Sequence, residues 1–346
     1  MRPNSTLKEL SDSQNVELHT ISVVIPTYSI KRLDDLVVLL KSIGVQNYSN
    51  VELLVVVDSP ELLNQIKARL IQEGLSSVGL LLNKSKHNAS AARNLGISNS
   101  SGEIVAFLDD DTVVFRDWID EIMKTFNQDP SIIGLTGPAF PLWEGHPLDW
   151  FPDEFSWILG YSSWHDNSRV KDAENVWGMN AAFRREAFQK AGFFSDRMGF
   201  RGGFLGSWKK ISSEENELSI RIREQTGQRI VFSPRVRVWH RVQTERTKVQ
   251  YIVKRAFHLG KSRATLLSIY RSNHSLMSTA AEHALCNRMI TRLFPSILKD
   301  LVRNPLHGWK RLSATVVILL ATSFGYISVP AFLLDGKTKR SDSREN

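Results

Sequence analysis

The sequence predicts an α/β protein built on a doubly wound, mostly parallel sheet. Apolar, β-branched runs of five to seven residues alternate with segments whose apolar residues recur at helical spacing, and the connections between them are short. Two of the apolar runs end directly at aspartates, Asp58 and Asp109. Ligands of such sheets bind beyond the carboxyl ends of the strands, so we expect the functional site at that edge.

The predicted elements follow one another along the chain. Strands are expected at 21–25, 51–57, 78–82, 104–108, 229–232 and 236–239. Helices are expected at 33–43, 61–72, 88–95, 184–190 and 213–223. A region rich in Trp, Pro and Phe, 138–168, lies between the strand at 104–108 and the helix at 184–190. It is interpreted either as core or as an aromatic wall that faces a sugar or a lipid.

The stretch IVAFLDDDT at 104–112 ends an apolar run in Asp109, Asp110 and Asp111. Like charges this close together are costly unless a cation lies among them. A hard divalent ion, Mg²⁺ or Mn²⁺, bound by carboxylates and substrate phosphates fits this chemistry. The alternative is an acidic turn that caps a helix over 113–126, because Asp is a common N-cap residue.

Two later segments add candidate residues. Glu214, Glu215 and Glu217 lie in the first turn of a helix that Ser213 is expected to cap, where acids suit the positive end of the helix dipole. His240 follows the last predicted strand. A single histidine is more often structural, but at a strand end near a suspected metal site it is a candidate ligand.

The charge is uneven along the chain. Residues 241–346 have 18 Lys and Arg against 6 Asp and Glu, a net +12, whereas residues 1–240 have 26 against 30, a net −4. The stretch 313–334 has 22 residues and no charge, which is long enough to cross a bilayer as a helix. Anionic lipid is therefore favoured over nucleic acid as the partner of the basic end. A buried core helix is the alternative for 313–334.

The segments, in this order, resemble the inverting glycosyltransferases of family 2, which have the GT-A fold, over about residues 21–265. The matching segments are VVIPTY at 23–28, HNASAARNLGI at 87–97, FLDDD at 107–111, GMNAAFRREAF at 178–188 and EENELSIRI at 214–222. The sequence departs from the family at Ser29, where Asn is usual, and at Glu215, where Asp is usual. The family's QxxRW segment is absent, and Gln243 and Arg246 occur instead as QTERT, without the Trp.

The resemblance implies a metal-dependent enzyme with a cofactor ion of Mg²⁺ or Mn²⁺, and it assigns roles to particular residues. Glu215 is expected to be the catalytic base. The metal is expected on Asp109, Asp111 and His240. The nucleotide-sugar is expected on Pro26, Thr27, Tyr28, Asp58, Arg93, Asp109 and Asp110. The acceptor side is expected to include Asn180, Arg201 and Glu214.

A cytoplasmic catalytic domain followed by a membrane helix resembles transferases that act on polyprenyl- or dolichyl-phosphate-linked sugars. We expect a UDP-sugar as donor, with GDP-mannose as the open alternative, and the cell membrane as the location. The domains are expected at 1–20 (flexible), 21–265 (GT-A), 266–312 (basic and amphipathic), 313–334 (transmembrane or re-entrant) and 335–346 (basic tail). An inactive nucleotide-sugar-binding protein of the same fold is the alternative function, and a nucleic-acid binder is a more distant one.

Overall fold

The computed structural model describes residues 20–84, 88–162, 169–195, 214–270 and 280–329. Several predicted features fall outside these ranges, among them the flexible N-terminus up to residue 19, the acceptor-side Arg201 and the basic tail 335–346. The predicted cap residue Ser213 also lies outside them.

The elements alternate as the sequence predicts. The strands are β1 Ile21–Thr27, β2 Val51–Val57, β3 Gly79–Leu82, β4 Ile104–Leu108, β5 Thr112–Val114, β6 Ile132–Thr136, β7 Ala139–Trp143, β8 Lys171–Asp172, β9 Asn180–Arg184, β10 Arg229–Phe232 and β11 Val238–Val242. The helices are α1 Leu33–Gly44, α2 Pro60–Gln72, α3 Ala89–Ser98, α4 Trp118–Gln128, α5 Ser156–Leu159, α6 Glu186–Ala191, α7 Glu214–Thr226, α8 Val249–Tyr270, α9 Ala280–Arg288, α10 Phe294–Arg303 and α11 Pro305–Ile327.

The large sheet has the strand order β3-β2-β1-β4-β9-β6-β10-β8. The first four strands are parallel, as their near-continuous apolar sequences predict. The other half is mixed, because β9 runs antiparallel to both β4 and β6. One apolar cluster packs on each face of this sheet. The sheet is therefore less uniformly parallel than predicted, and its parallel half brings the ends of β1 to β4 to one edge.

The predicted helix 113–126 is wrong over its first turn. Residues 112–114 form β5, which pairs with β11 in a second sheet of order β5-β11-β7, and helix α4 begins only at Trp118. Pairing with a strand more than a hundred residues away overrides the local helical pattern. His240 is also displaced relative to the prediction, since it lies in the middle of β11 and pairs with Thr112.

The aromatic region 138–168 forms core in its described part. Phe151 and Phe155 are buried in a third cluster with residues of α8, α10 and α11, and Trp143, Trp150 and Trp157 pack against it. These side chains join the part of the chain that contains the sheets to the C-terminal helices. The core interpretation therefore holds for them.

The C-terminal helices do not divide where the sequence suggests. Helix α8 continues across the predicted boundary at residue 265, and α11 begins at Pro305, well before the apolar stretch 313–334. By length and composition, α11 could cross a membrane.

Candidate active site

The acidic cluster lies at the edge where β1 and β4 end. Because β1 and β4 are parallel neighbours, the residues that follow them lie side by side. Thr27 Oγ1, at the end of β1, donates a 2.5 Å hydrogen bond to Asp110 Oδ2 just beyond β4, and both side chains are buried. Pro26 precedes Thr27 within β1, while Tyr28 is exposed at the rim.

Asp58 lies at the same edge, directly after β2. Its Oδ1 accepts a 2.9 Å hydrogen bond from Asn83 Nδ2, and Asn83 follows the neighbouring strand β3. The predicted nucleotide-side residues Pro26, Thr27, Asp58 and Asp110 therefore share one edge, as parallel strands require.

Asp109, Asp111 and His240 form a candidate metal site. Each offers one ligand atom, and these atoms lie within 4.8 Å of one another. His240 Nε2 is 3.3 Å from Asp111 Oδ1, and both of these side chains are buried, whereas the Asp109 side chain is 40% exposed. Two carboxylates with one open side suit a hard divalent ion that keeps positions for substrate oxygens. The residues present therefore fit Mg²⁺ or Mn²⁺.

Two arginines outside the predicted set complete the charge balance of this cluster. Arg32 Nη1 contacts Asp111 and lies 3.3 Å from Asp110 Oδ1. Arg246 Nη2 lies 3.3 Å from Asp111 Oδ2. Gln243, with its amide oxygen turned towards Arg32, accepts a 2.8 Å hydrogen bond from Arg32 Nη2. Asp110 and Asp111 are therefore held by positive charge from two distant parts of the chain.

The sequence signals for these three residues differ in strength. Gln243 and Arg246 belong to the QTERT segment, whose sequence indicates only that the QxxRW motif is missing. Arg32 belongs to no motif. It is the last residue of a short 3₁₀ turn after β1. Its only signal is its proximity in sequence to Thr27, which a parallel sheet places beside the acidic cluster.

Arg93 connects the acidic cluster to the predicted base. Its guanidinium is buried, with Nη1 2.9 Å from Glu215 Oε1 and 3.2 Å from Glu214 Oε1, while Nη2 is 3.4 Å from Asp109 Oδ1. The Phe194 ring lies against the same guanidinium, and its centroid is 5.5 Å from Arg93 Cζ. One arginine thus fixes the Glu215 carboxylate and the open side of the metal site relative to each other.

The segment 178–184 reaches this site through Gly178 and not through Asn180. A Cβ atom at Gly178 would lie 2.1 Å from Glu215 Oε1, so the backbone there leaves room for the carboxylate. The Asn180 side chain is fully buried, accepting from Trp118 Nε1 at 2.9 Å and donating to the Val236 carbonyl at 2.7 Å. Because its amide is used inside the core, the predicted contact of Asn180 with an acceptor is incompatible with this placement.

Burial and neighbouring charge set the acidities of these carboxyls. Burial raises the pKa of Asp110 to about 7, against the opposing effect of Arg32. Burial acts in the same direction on Asp111, but His240, Arg246 and Arg32 outweigh it and hold the pKa of that carboxyl well below its usual range. Burial, followed by the charge of Glu214, raises the pKa of Glu215, although Arg93 opposes the change.

The comparisons with known proteins agree with this geometry. Residues 22–192 match the family model described as "Glycosyl transferase family 2". The chain contains a family 2 glycosyltransferase domain. The predicted glycosyltransferase class is thereby confirmed.

The relatives of this glycosyltransferase extend the match beyond that domain. A glucosyl-dolichyl phosphate glucuronosyltransferase of Haloferax volcanii is 28% identical over 311 residues, which is 89% of this chain and 95% of the relative. A mannosyltransferase of Pyrobaculum calidifontis, solved with GDP-Man and Mn²⁺, superposes with a TM-score of 0.58 at 16% identity, over 90% of this chain and 88% of that one. GalNAc-T7, solved with UDP, GalNAc and Mn²⁺, superposes with a TM-score of 0.50 at 16% identity, over 84% of this chain and 58% of that one. These likenesses confirm the GT-A-like fold.

Proposed function

We propose that this glycosyltransferase moves a sugar from a nucleotide-sugar, a UDP-sugar in our assignment, to an acceptor linked to polyprenyl or dolichyl phosphate. The reaction inverts the configuration of the sugar and requires Mg²⁺ or Mn²⁺. It takes place at the cell membrane with the catalytic domain in the cytoplasm. The relative that covers most of the chain supports the acceptor class, because its name specifies a dolichyl-phosphate-linked substrate.

The observation that carries the proposal is the placement of Glu215 relative to the metal site. Arg93 contacts Glu215 through one nitrogen and Asp109 through the other, at 2.9 and 3.4 Å. A donor whose diphosphate lies at Asp109 and Asp111 would therefore present its anomeric carbon towards Glu215.

The residues divide the chemistry between them. The acceptor hydroxyl oxygen attacks the anomeric carbon as the bond from that carbon to the diphosphate oxygen breaks, and Glu215 takes the hydroxyl proton. A single in-line displacement of this kind inverts the anomeric centre. Arg93, which also contacts Glu214, holds the Glu215 carboxylate in place.

The metal would be held by Asp109, Asp111 and His240. When bound, it supplies positive charge to the departing diphosphate as a Lewis acid. Arg32 and Arg246, which contact Asp111, add fixed positive charge to this cluster. Asp58, with Thr27 and Pro26 beside it, is assigned to the nucleoside end of the donor.

A screen of nucleotide-sugars by thermal shift, with and without Mn²⁺, tests the donor assignment, because a ligand of the folded state raises its melting temperature. We expect stabilisation by a UDP-sugar that depends on Mn²⁺, and stabilisation by GDP-mannose alone would reassign the nucleotide. The stabilising donor is then incubated with a polyprenyl-phosphate-linked glucose, and the product's anomeric configuration is measured by NMR.

The same assay separates the enzyme from the inactive binding protein. We expect transfer with inversion, accompanied by slow hydrolysis of the donor in the absence of acceptor. Donor binding with neither transfer nor hydrolysis would establish the inactive alternative. Retention of configuration would reject the role given to Glu215 while leaving the family assignment intact.

A further inference from the structure

Helix α10 and the π-helical turn Met289–Leu293 that leads into it have more apolar surface than the protein core uses. One stripe, Met289, Leu293 and Ile297, is buried in the cluster shared with α8 and α11. A second stripe lies one residue further along and recurs every four residues: Ile290, Phe294, Leu298 and Val302. These four side chains are between 39 and 83% exposed. No described part of the chain covers them, so the second stripe needs a partner.

The exposed apolar surface continues on α11, past the turn at Asn304. Leu306, Trp309, Val316, Leu320, Phe324 and Ile327 are all exposed. The side of α11 that packs inward consists mainly of small residues with Ile318: Gly308, Thr315 and Gly325. We call the exposed apolar residues named for α10, the turn before it and α11 the apolar face. Contiguous exposed apolar surface of this extent marks a protein or membrane contact.

Helix α11 is fastened to α8 by close backbone contact. A Cβ atom at Gly325 would lie 1.9 Å from the Phe257 carbonyl oxygen, and one at Gly260 would lie 1.8 Å from the Thr322 carbonyl oxygen. The backbones of the two helices are therefore in direct contact at both glycines. Helix α8, in turn, follows the 3₁₀ turn that carries Arg246, so it is attached directly to the metal site.

This attachment decides how α11 can meet a bilayer. If α11 crossed the membrane, α8 would have to enter the hydrocarbon with it, because the two helices touch near Gly260 and Gly325. Helix α8 has four basic residues around that contact: Lys254, Arg255, Lys261 and Arg263. Charged side chains at that depth are expensive unless they line a cavity. A crossing by α11 is therefore disfavoured by its own packing partner.

Charge identifies the partner of the apolar face. Four basic side chains on α10, α11 and the turn before α10 are exposed beside it: Arg292, Lys299, Arg303 and Lys310. An amphipathic helix with large apolar residues on one side and Lys and Arg beside them is the composition that binds the interface of anionic membranes. Trp309 is exposed, and tryptophan is enriched at the headgroup level of membranes.

We propose that α10 and α11 lie in the plane of an anionic membrane surface and do not cross it. The apolar face enters the boundary between headgroups and acyl chains, and the basic side chains bind the headgroups. This inference rests on the proposed function, because a lipid-linked acceptor has its phosphate at that level. Through α8 and Arg246, the contact holds the metal site in one fixed orientation to the surface from which the acceptor comes.

Flotation of the full chain with vesicles of phosphatidylcholine and phosphatidylglycerol tests the contact. We expect the double variant Leu298→Glu, Val302→Glu to reduce the bound fraction at least tenfold and to keep the wild-type melting temperature. Ile71→Glu is the matched control, because Ile71 on α2 is 61% exposed, close to the 64% of Leu298, and we expect it to bind normally. Equal binding by all three proteins would overturn the proposal.

A labelling experiment separates an in-plane helix from a crossing one. Cys286 on α9 is exposed and precedes α10, and the variant Ser343→Cys places a second thiol after α11. With protein bound to sealed vesicles, a membrane-impermeant maleimide should label both thiols from outside. Labelling of Cys286 alone would establish a crossing and reject the proposal.

Sedimentation and donor hydrolysis distinguish the membrane contact from a dimer interface and from a damaged enzyme. If the double variant converts a dimer to a monomer by sedimentation but still floats, the apolar face is an interface between copies and the proposal fails. Donor hydrolysis in detergent should be unchanged in the double variant, because neither of its substitutions lies at the metal site. Absence of both transfer and donor hydrolysis in the wild type would instead reject the proposed function, which makes the two failures distinguishable.

Discussion

At the edge of the sheet this glycosyltransferase buries charge, whereas along α10 and α11 it exposes apolar side chains. Asp110, Asp111 and Arg93 are nearly inaccessible to water, and each is surrounded by groups of opposite charge. Leu298, Val302 and their neighbours have no such compensation within the described part of the chain. The buried charges are compensated inside the molecule, while the exposed apolar face can be compensated only from outside. Substitutions at the edge of the sheet should therefore affect turnover, donor binding or stability, whereas substitutions on the apolar face should affect membrane binding.

The largest expected effect is that of Glu215→Gln on turnover. Loss of a general base costs about 10²–10⁴-fold in rate, while the donor should bind with wild-type affinity. Glu224→Gln, an exposed acid on the same helix, is the control. Steady-state kinetics with the identified donor would measure both variants, and wild-type turnover in Glu215→Gln would remove Glu215 from the role of base.

Asp111→Asn should weaken donor binding in the presence of Mn²⁺ by about tenfold or more, since even groups that only support a metal ligand cost 10–100-fold when lost. The amide keeps the shape of the side chain but loses the charge that Arg32, Arg246 and His240 surround. Calorimetric titration with donor and Mn²⁺ is the measurement, with Asp117→Asn, a carboxylate paired with Arg237, as the control. Unaltered affinity would count against Asp111 as a ligand.

Gly160→Ala should lower the free energy of unfolding by about 1–3 kcal/mol. Gly160 has a φ of +97°, and a Cβ there would lie 2.8 Å from the His240 ring. Gly44→Ala is the control, because nothing lies within 4 Å of a Cβ at that position. Urea unfolding of both variants would measure the difference, and equal stabilities would contradict the predicted strain at Gly160.

The pH dependence of kcat/KM should change in Glu214→Gln. The base must be unprotonated, and the pKa of Glu215 is raised by burial and by Glu214, so activity should fall as the pH falls through a value above that of an ordinary glutamate. Removing the Glu214 charge lowers the pKa of Glu215 and should move the acidic limb of the profile to lower pH. A limb that stays in place or moves upward would exclude this coupling.

The smallest expected effect lies in the other region. Leu298→Glu with Val302→Glu should change the free energy of unfolding in detergent-free solution by no more than about 0.5 kcal/mol, as exposed substitutions usually do. Urea unfolding would measure it. A large loss of stability would mean that the apolar face already has a partner inside the molecule, and the contrast between the two regions would disappear.

The sequence by itself determined the alternation of strands and helices and the edge at which the acids meet. Asp58 and Asp109 follow buried parallel strands, and parallel strands bring their carboxyl ends to one edge whatever the rest of the fold does. The motif resemblance added the proposed base, Glu215, and the proposed third metal ligand, His240, whose positions in the chain are far from that edge. These predictions depend on local pattern and on order, which a sequence records directly.

Only the tertiary structure decided which other side chains reach the site and which turn away from it. Arg32 and Arg246 converge on Asp111 from positions more than two hundred residues apart, Asn180 turns into the core, and Gly178 takes its place beside Glu215. The contact of α11 with α8 likewise joins segments that the sequence pattern presents as separate. Such contacts depend on how distant elements pack against each other, and packing leaves no period or spacing in the chain from which it could be predicted.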